Sequence, residues 1–377
     1  MKAIVNATIV MPDHLIPNAT LVTNGDRIID FGRKINIDGM EIFDAEGAYL
    51  GPGLIDVHTH SDGEVFFSDA PIKAANTLLA HGITDVLPAL YFSADRNTLI
   101  DQARTIRAAA CEAPNILGLY MEAPYMNPKF GCNRENNPWR HPINRDDYMP
   151  LLEAVKGFAR VWVVAPEREG IANFVKDVKS ADPTAIFSVG HSEAEPEMIE
   201  SLIHYGLKLA THHTNATGTL QKYPECRAAC VDEAALYNDE VYTELICDKV
   251  GIHVAPYMLR LIKKIKGDDR IILISDAFVE HGPNPSDKLY EGADDINFDF
   301  SGEIAGSKMI LDGACRNMMV HTGASICQVF KYASTNPARL LSLTDRGSIA
   351  IGNVANLILT DAEFNVKRVM LRGKFVN

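Results

Sequence analysis

Two histidines one residue apart stand near the end of the stretch "GPGLIDVHTHSDG", residues 51–63. Leu54, Ile55 and Val57 just before them are apolar, the composition of a buried strand. Side chains alternate faces along a strand, so His58 and His60 point the same way from its end. Imidazole both ligates metals and carries protons, and further groups able to do one or the other follow along the chain. Glu122, Glu167, His191, His212 or His213, His253 and Asp276 each sit near the end of a short apolar run. Such groups are seldom buried without partners, so their recurrence at strand ends reads as a site rather than as core filling. Taken singly each has a plainer reading. A lone histidine at a strand end usually serves as a hydrogen-bonder, Glu167 can cap the following helix, and alternation turns His213 away from His212. His81 and His204 read as helix residues outside the site.

The elements that must position these groups are legible as alternation. Eight short apolar runs are separated by longer helix-like segments: "LIDVH" at 54, "DVLPAL" at 85, "ILGLYME" at 116, "VWVVAPE" at 161, "AIFSVGH" at 185, "LKLATHH" at 207, "GIHVAP" at 251 and "RIILISD" at 270. This order predicts an α/β fold, a TIM-like (β/α)8 barrel, whose active site lies at the C-terminal ends of the strands. "IKAANTLLAHG", "RNTLIDQARTIRAAA", "EPEMIESLIHYG" and "YMLRLIKKIKG" are expected helices. Both ends of the chain instead carry strand-like runs broken by Asn-Gly and Gly turns. Neither end has enough strands to bury an apolar face alone. Residues 1–50 and 344–377 are therefore expected to build one small β-sandwich domain, and 51–343 the catalytic barrel.

Composition narrows the partners. The 377 residues are 47% hydrophobic and 23% charged, ordinary for a globular protein, and the formal net charge of -13 opposes affinity for nucleic acid or an anionic membrane surface. No apolar run approaches the roughly 20 residues of a membrane span, and the first residues, "MKAIVNATIVMPDH", do not read as a signal peptide. A cytoplasmic protein with a small-molecule substrate is expected. The seven cysteines include no CxxC pair, so neither a disulfide framework nor a thiolate zinc site is indicated.

The motifs "PGLIDVHTH", "GLYMEAPYMNPKFG", "VVAPE", "VGHSEA", "ATHHTNAT", "GIHV", "ISDA", "IAGSKMIL", "STNPARLL" and "GSIAIGNVANLIL" run in order over nearly the entire chain. By them the sequence resembles the amidohydrolase superfamily, and within it the deacetylases of N-acetyl amino sugar phosphates. The resemblance implies hydrolysis of N-acetylglucosamine 6-phosphate or a close relative. It implies a divalent metal, zinc before iron, on Glu122, His191 and His212, with His58 and His60 as a second site bridged by Glu122, hence one or two ions per chain. Asp276 is then the general base and acid. Asn215, Ala216, His253, and Ala305, Gly306 and Ser307 carry over as substrate contacts, and a homodimer is expected. Four departures bear on the substrate. The family's downstream Arg is replaced by "TGTLQKYPECRAA", leaving Lys222 or Arg227 for the phosphate; its "EGP" is "EAP"; its "KGAH" is "FGCN", putting Asn133 where a substrate-facing histidine is expected; and "RENNPWRHP" has no counterpart. An amidohydrolase for another small N-acyl compound, or a noncatalytic barrel scaffold, are the alternatives.

Overall fold

The computed structural model describes residues 1–279 and 291–376. Residues 280–290 and 377 of the two expected domains lie outside the described residues.

Eight strands form one sheet in which spatial order equals chain order: Leu54–Thr59, Ile83–Tyr91, Leu119–Glu122, Ala159–Val164, Ile186–Val189, Leu207–Ala210, Tyr242–Ile246 and Ile271–Ile274. Every neighbouring pair is parallel. The helices between them cover the outer face and leave these strands almost wholly buried, as parallel sheets require. In the helix Arg96–Ala109, Asp95 caps by accepting from the Thr98 N–H, and Leu99, Ile100, Ala103 and Ile106 form the buried stripe. Between the last strand and the first, the sheet closes through backbone bonds just past the eighth strand. Asp276 N–H donates to the His58 carbonyl at 3.0 Å, and His60 N–H to that of Ala277 at 3.0 Å. Asp276 and the HxH pair are thus zipped side by side at the seam.

One expected strand is replaced by another. "GIHVAP" at 251 is a loop, and the seventh strand is Tyr242–Ile246, "YTELI", buried at every position. The Asp248 carboxylate explains the loop: it accepts from the backbone N–H groups of Val250, Gly251, Ile252 and His253. Those donors are therefore unavailable to a ladder, and Gly251 takes φ +74°, suited to a turn. Pro256 then opens the helix Pro256–Lys266.

Both termini meet in a second sheet of eight strands. Its path runs Lys374–Phe375, Val366–Leu371, Leu357–Thr360, Tyr49–Pro52, Lys2–Val10, Leu15–Asn24 and Arg27–Gly32, with Glu41–Asp44 also paired to Lys2–Val10. The sheet folds over its own core of Ile4, Ile9, Leu21, Leu50, Leu357 and Met370. Phe43 from one end of it reaches Phe375 from the other, ring centroids 4.4 Å apart. A buried carboxylate joins the two units, Asp85 on the second barrel strand accepting from Arg346 Nη1 at 2.5 Å and Asn356 Nδ2 at 3.1 Å. Among the described residues no helix is long and apolar enough to cross a membrane.

Candidate metal centre

Glu122 ends the third strand, and each of its oxygens faces a pair of imidazoles from elsewhere. Oε1 lies 2.7 Å from His191 Nε2 and 3.1 Å from His212 Nε2. Oε2 lies 3.1 Å from His60 Nε2 and 3.6 Å from His58 Nε2. All five residues are at most 4% exposed. They form two groups sharing Glu122, each with ligand atoms within 4.8 Å of one another: His58, His60, Glu122 and Glu122, His191, His212.

The backbone pays locally for this convergence. His191, His212 and Asp276 follow their strands with φ of +46°, +29° and +46°, a region that non-glycine residues rarely adopt. The strain turns each side chain inward over the barrel mouth. Asp276 is braced by the hairpin Ile296–Phe298 and Ile304–Ser307: Ser307 N–H donates to its carbonyl at 2.8 Å, and Ser307 Oγ to that of Ser275 at 2.6 Å. Gly306 is required there, since a Cβ would meet the Asp276 carbonyl oxygen at 2.3 Å.

The donor set fits divalent ions. His191 Nε2 and His212 Nε2 lie 3.0 Å apart. Two neutral imidazole lone pairs that close repel unless a proton or cation lies between them. Among the described residues His58 Nε2 and Glu122 Oε2 are buried without a hydrogen-bond partner, and such orphans need a ligand to offset their desolvation. Imidazole nitrogen with carboxylate oxygen is the chemistry of zinc or iron sites. Burial opposes ionisation of Glu122, yet its contacts with His191, His212, His58 and His60 hold it well below the usual carboxylate range. Asp276 is likewise opposed by burial but held at about 2 by His58 and His60. Its Oδ1 lies 3.4 Å from His60 Nε2 and 3.7 Å from His58 Nε2.

Above these groups is a cavity of about 240 Å³. His60, Glu122, His191, His212 and Asp276 form its floor, and Asn215, Ala216, His253, Ala305 and Gly306 also line it. His58 lies behind His60. His253 Nδ1 faces Asp248 Oδ2 at 3.1 Å, and its Nε2 has no hydrogen-bond partner among the described residues. Four of the expected substrate contacts do not line the cavity. Ser307 is buried in the brace beneath Asp276. Asn133 opens the short turn Arg134–Asn136, while its neighbours Gly131 and Cys132 reach the cavity in its place. Lys222 and Arg227 stand on an exposed hairpin, Arg227 bound to Glu233 Oε1 at 2.5 Å. Glu167 neither caps a helix nor enters the centre; it accepts from Asn127 Nδ2, Ser192 Oγ and Glu193 N–H and ties two loops together. His213 faces away from His212 toward Asp232, 3.5 Å distant.

Sequence reading missed Tyr91, Ile246, Phe278 and Ile304 in the cavity wall, and Glu244 and Asp248 behind it. Tyr91 ends the second barrel strand, a usable signal, whereas Ile246 ends the seventh. Glu244 was hidden by the misplaced seventh strand.

Comparison with known proteins agrees with this architecture. The chain is 26% identical over 384 residues to the N-acetylglucosamine-6-phosphate deacetylase of Bacillus subtilis (strain 168), covering 97% of this chain and 94% of that protein. It is 25% identical over 360 residues to the N-acetylgalactosamine-6-phosphate deacetylase of Escherichia coli O157:H7, covering 90% of each. The crystal structure of the N-acetylglucosamine-6-phosphate deacetylase from Pasteurella multocida superposes with a TM-score of 0.86 at 26% identity, covering 100% of this chain and 99% of that one. The model of the amidohydrolase family matches residues 49–376, and the chain belongs to that family.

Proposed function

We propose that the chain is a metal-dependent deacetylase that hydrolyses the N-acetyl amide of an amino sugar 6-phosphate, N-acetylglucosamine 6-phosphate or a close relative. The observation that carries this reading is Glu122 with one oxygen toward each imidazole pair and Asp276 beside them on the cavity floor. The similarity to deacetylases of both glucosamine and galactosamine phosphates supports the reaction and leaves the epimer to experiment. In this reading 51–343 is the catalytic domain, supported by the sheet of 1–50 and 344–377, in a cytoplasmic homodimer.

Glu122, His191 and His212 would hold one ion, and His58 and His60 with Glu122 a second, zinc before iron. A divalent cation there supplies Lewis-acid stabilisation of the developing oxyanion and a water acidic enough to attack at neutral pH. Asp276 Oδ1 accepts the proton of the attacking water, a role open to it because the carboxyl is ionised at neutral pH. It then delivers that proton to the departing amine as the C–N bond breaks, giving acetate and the free amino sugar. His253 Nε2 and the Asn215 side chain, at the cavity wall, orient the sugar. Tyr91, Phe278 and Ile304 supply the apolar part of the cavity wall, suited to the acetyl methyl group.

A second reading, a neutral N-acyl substrate, is favoured by one observation: no Lys or Arg is among the described residues that line the cavity. Acetate release from N-acetylglucosamine 6-phosphate, N-acetylgalactosamine 6-phosphate and unphosphorylated N-acetylglucosamine separates the two. A phosphorylated sugar is expected to lead in kcat/KM by at least about tenfold, roughly 1.4 kcal/mol of transition-state binding. Equal rates, or preference for the neutral sugar, would replace the phosphate reading with the second one.

A further inference from the structure

Glu244 is fully buried in the middle of the seventh barrel strand, and three groups converge on one of its oxygens. Oε2 lies 3.1 Å from His58 Nδ1, accepts from the Tyr120 hydroxyl at 3.2 Å and accepts from the His212 backbone N–H at 3.1 Å. The Tyr120 ring also stacks on His58, centroids 4.1 Å apart at 18°. His58 is therefore clamped on its face and at Nδ1. A carboxylate oxygen accepts, so Nδ1 carries a ring proton, and Nε2 is the ring atom left to ligate a metal ion. That Nε2 is the buried orphan facing Glu122 and Asp276.

We infer that Glu244 is a positioning residue for the second metal ion: by fixing the tautomer and plane of His58 it turns the HxH pair into a competent ligand set. This rests on the metal-centre reading above and deepens it. The other half of the centre is set independently. His212 Nδ1 lies 3.2 Å from the Asn215 carbonyl, which fixes its tautomer without a carboxylate. Among the described residues the Glu244 carboxylate touches that half only through the His212 backbone N–H. Removing its charge should consequently act on the two ions unequally. Outer partners of metal-bound histidines typically contribute about 10- to 100-fold in metal affinity. A carboxylate that merely fills the barrel interior would have no reason to prefer one ion.

The test is stepwise zinc titration of chelator-treated protein against a chromophoric competitor, with anomalous diffraction from zinc-loaded crystals assigning each step. Wild type should take up two ions. Glu244→Gln should weaken the ion on His58 and His60 by about 10- to 100-fold while shifting the ion on His191 and His212 by less than about threefold. Equal weakening of both ions, no weakening, or a wild-type protein that takes up one ion would overturn the inference. Should Glu244→Gln not fold, Tyr120→Phe gives the same ratio. It keeps the stacked ring and removes one hydrogen bond to Glu244, so a loss of about threefold or more confined to the His58 ion is expected, and an equal loss at both ions overturns it. Turnover is not read. Unequal weakening in a protein inactive on amino sugars would uphold this inference and sink the proposed substrate, whereas deacetylation by a one-ion protein would do the reverse.

Discussion

The two imidazole pairs that meet Glu122 are built in opposite ways. His58 and His60 leave a single strand two residues apart, and ordinary alternation aims both at Glu122 Oε2. His191 and His212 come from two adjacent strands, Ile186–Val189 and Leu207–Ala210, and each is turned inward by a left-handed backbone. The first pair is regular in backbone and supported from behind by Glu244 and Tyr120. The second is strained in backbone and supported by the Asn215 carbonyl of its own loop. A site of one chemistry can thus be assembled either by secondary-structure period or by local strain that the barrel over-determines. The pairs differ accordingly in what should disable them.

The largest expected effect belongs to the carboxylate assigned the proton transfer, which lies beside the first pair. Asp276→Asn keeps the shape but cannot exchange a proton, and acetate release should fall by about 100- to 10,000-fold. Metal content, measured on the same preparation by elemental analysis, should stay near wild type. Retention of activity within about threefold, far above the range for general acid and base catalysis, would reduce Asp276 to a structural carboxylate.

Next come the ligands of the strained pair. His191→Ala or His212→Ala removes one of three protein ligands, so that ion should be weakened beyond the roughly 100-fold ceiling for an outer partner. The same elemental analysis with chelator competition checks it, and unchanged zinc in both variants would remove these residues from the centre. His58→Ala and His60→Ala should cost about one ion per chain and leave the other within about threefold, since each pair uses its own Glu122 oxygen. Loss of both ions together would show that the pairs do not act separately.

Sequence legibility follows the same division. The HxH pair lies within one local period, so it was readable without knowing any neighbour. The barrel was readable for the same reason, seven of its eight strands falling on the apolar runs expected. Grouping His191 and His212 with Glu122 needed the resemblance, because their proximity depends on strand order and on a backbone conformation with no sequence mark. The seventh strand failed physically: Thr243 and Glu244 made "YTELI" look polar, while the apolar "GIHV" belongs to a loop held by Asp248. Losing that strand also hid Glu244, whose polarity is explained by the centre it faces. Lys222 and Arg227 were chosen by charge and chain order, and neither lines the cavity.

The smallest expected effect tests that last point. Lys222→Ala and Arg227→Ala should each change kcat/KM on the phosphorylated sugar by at most about fivefold, because exposed charges contribute on the order of 1 kcal/mol or less. A loss well beyond that for either residue would bring the hairpin into the substrate site and require it to close over the cavity.

The central claim is that the centre assembled on Glu122 performs amide hydrolysis with divalent metal. Its most direct test is acetate release from N-acetylglucosamine 6-phosphate by chelator-treated protein as zinc or iron is returned. Activity should be absent without metal and rise to a plateau by about two equivalents per chain, as the two groups on Glu122 require. Undiminished hydrolysis by the metal-free protein would contradict the account.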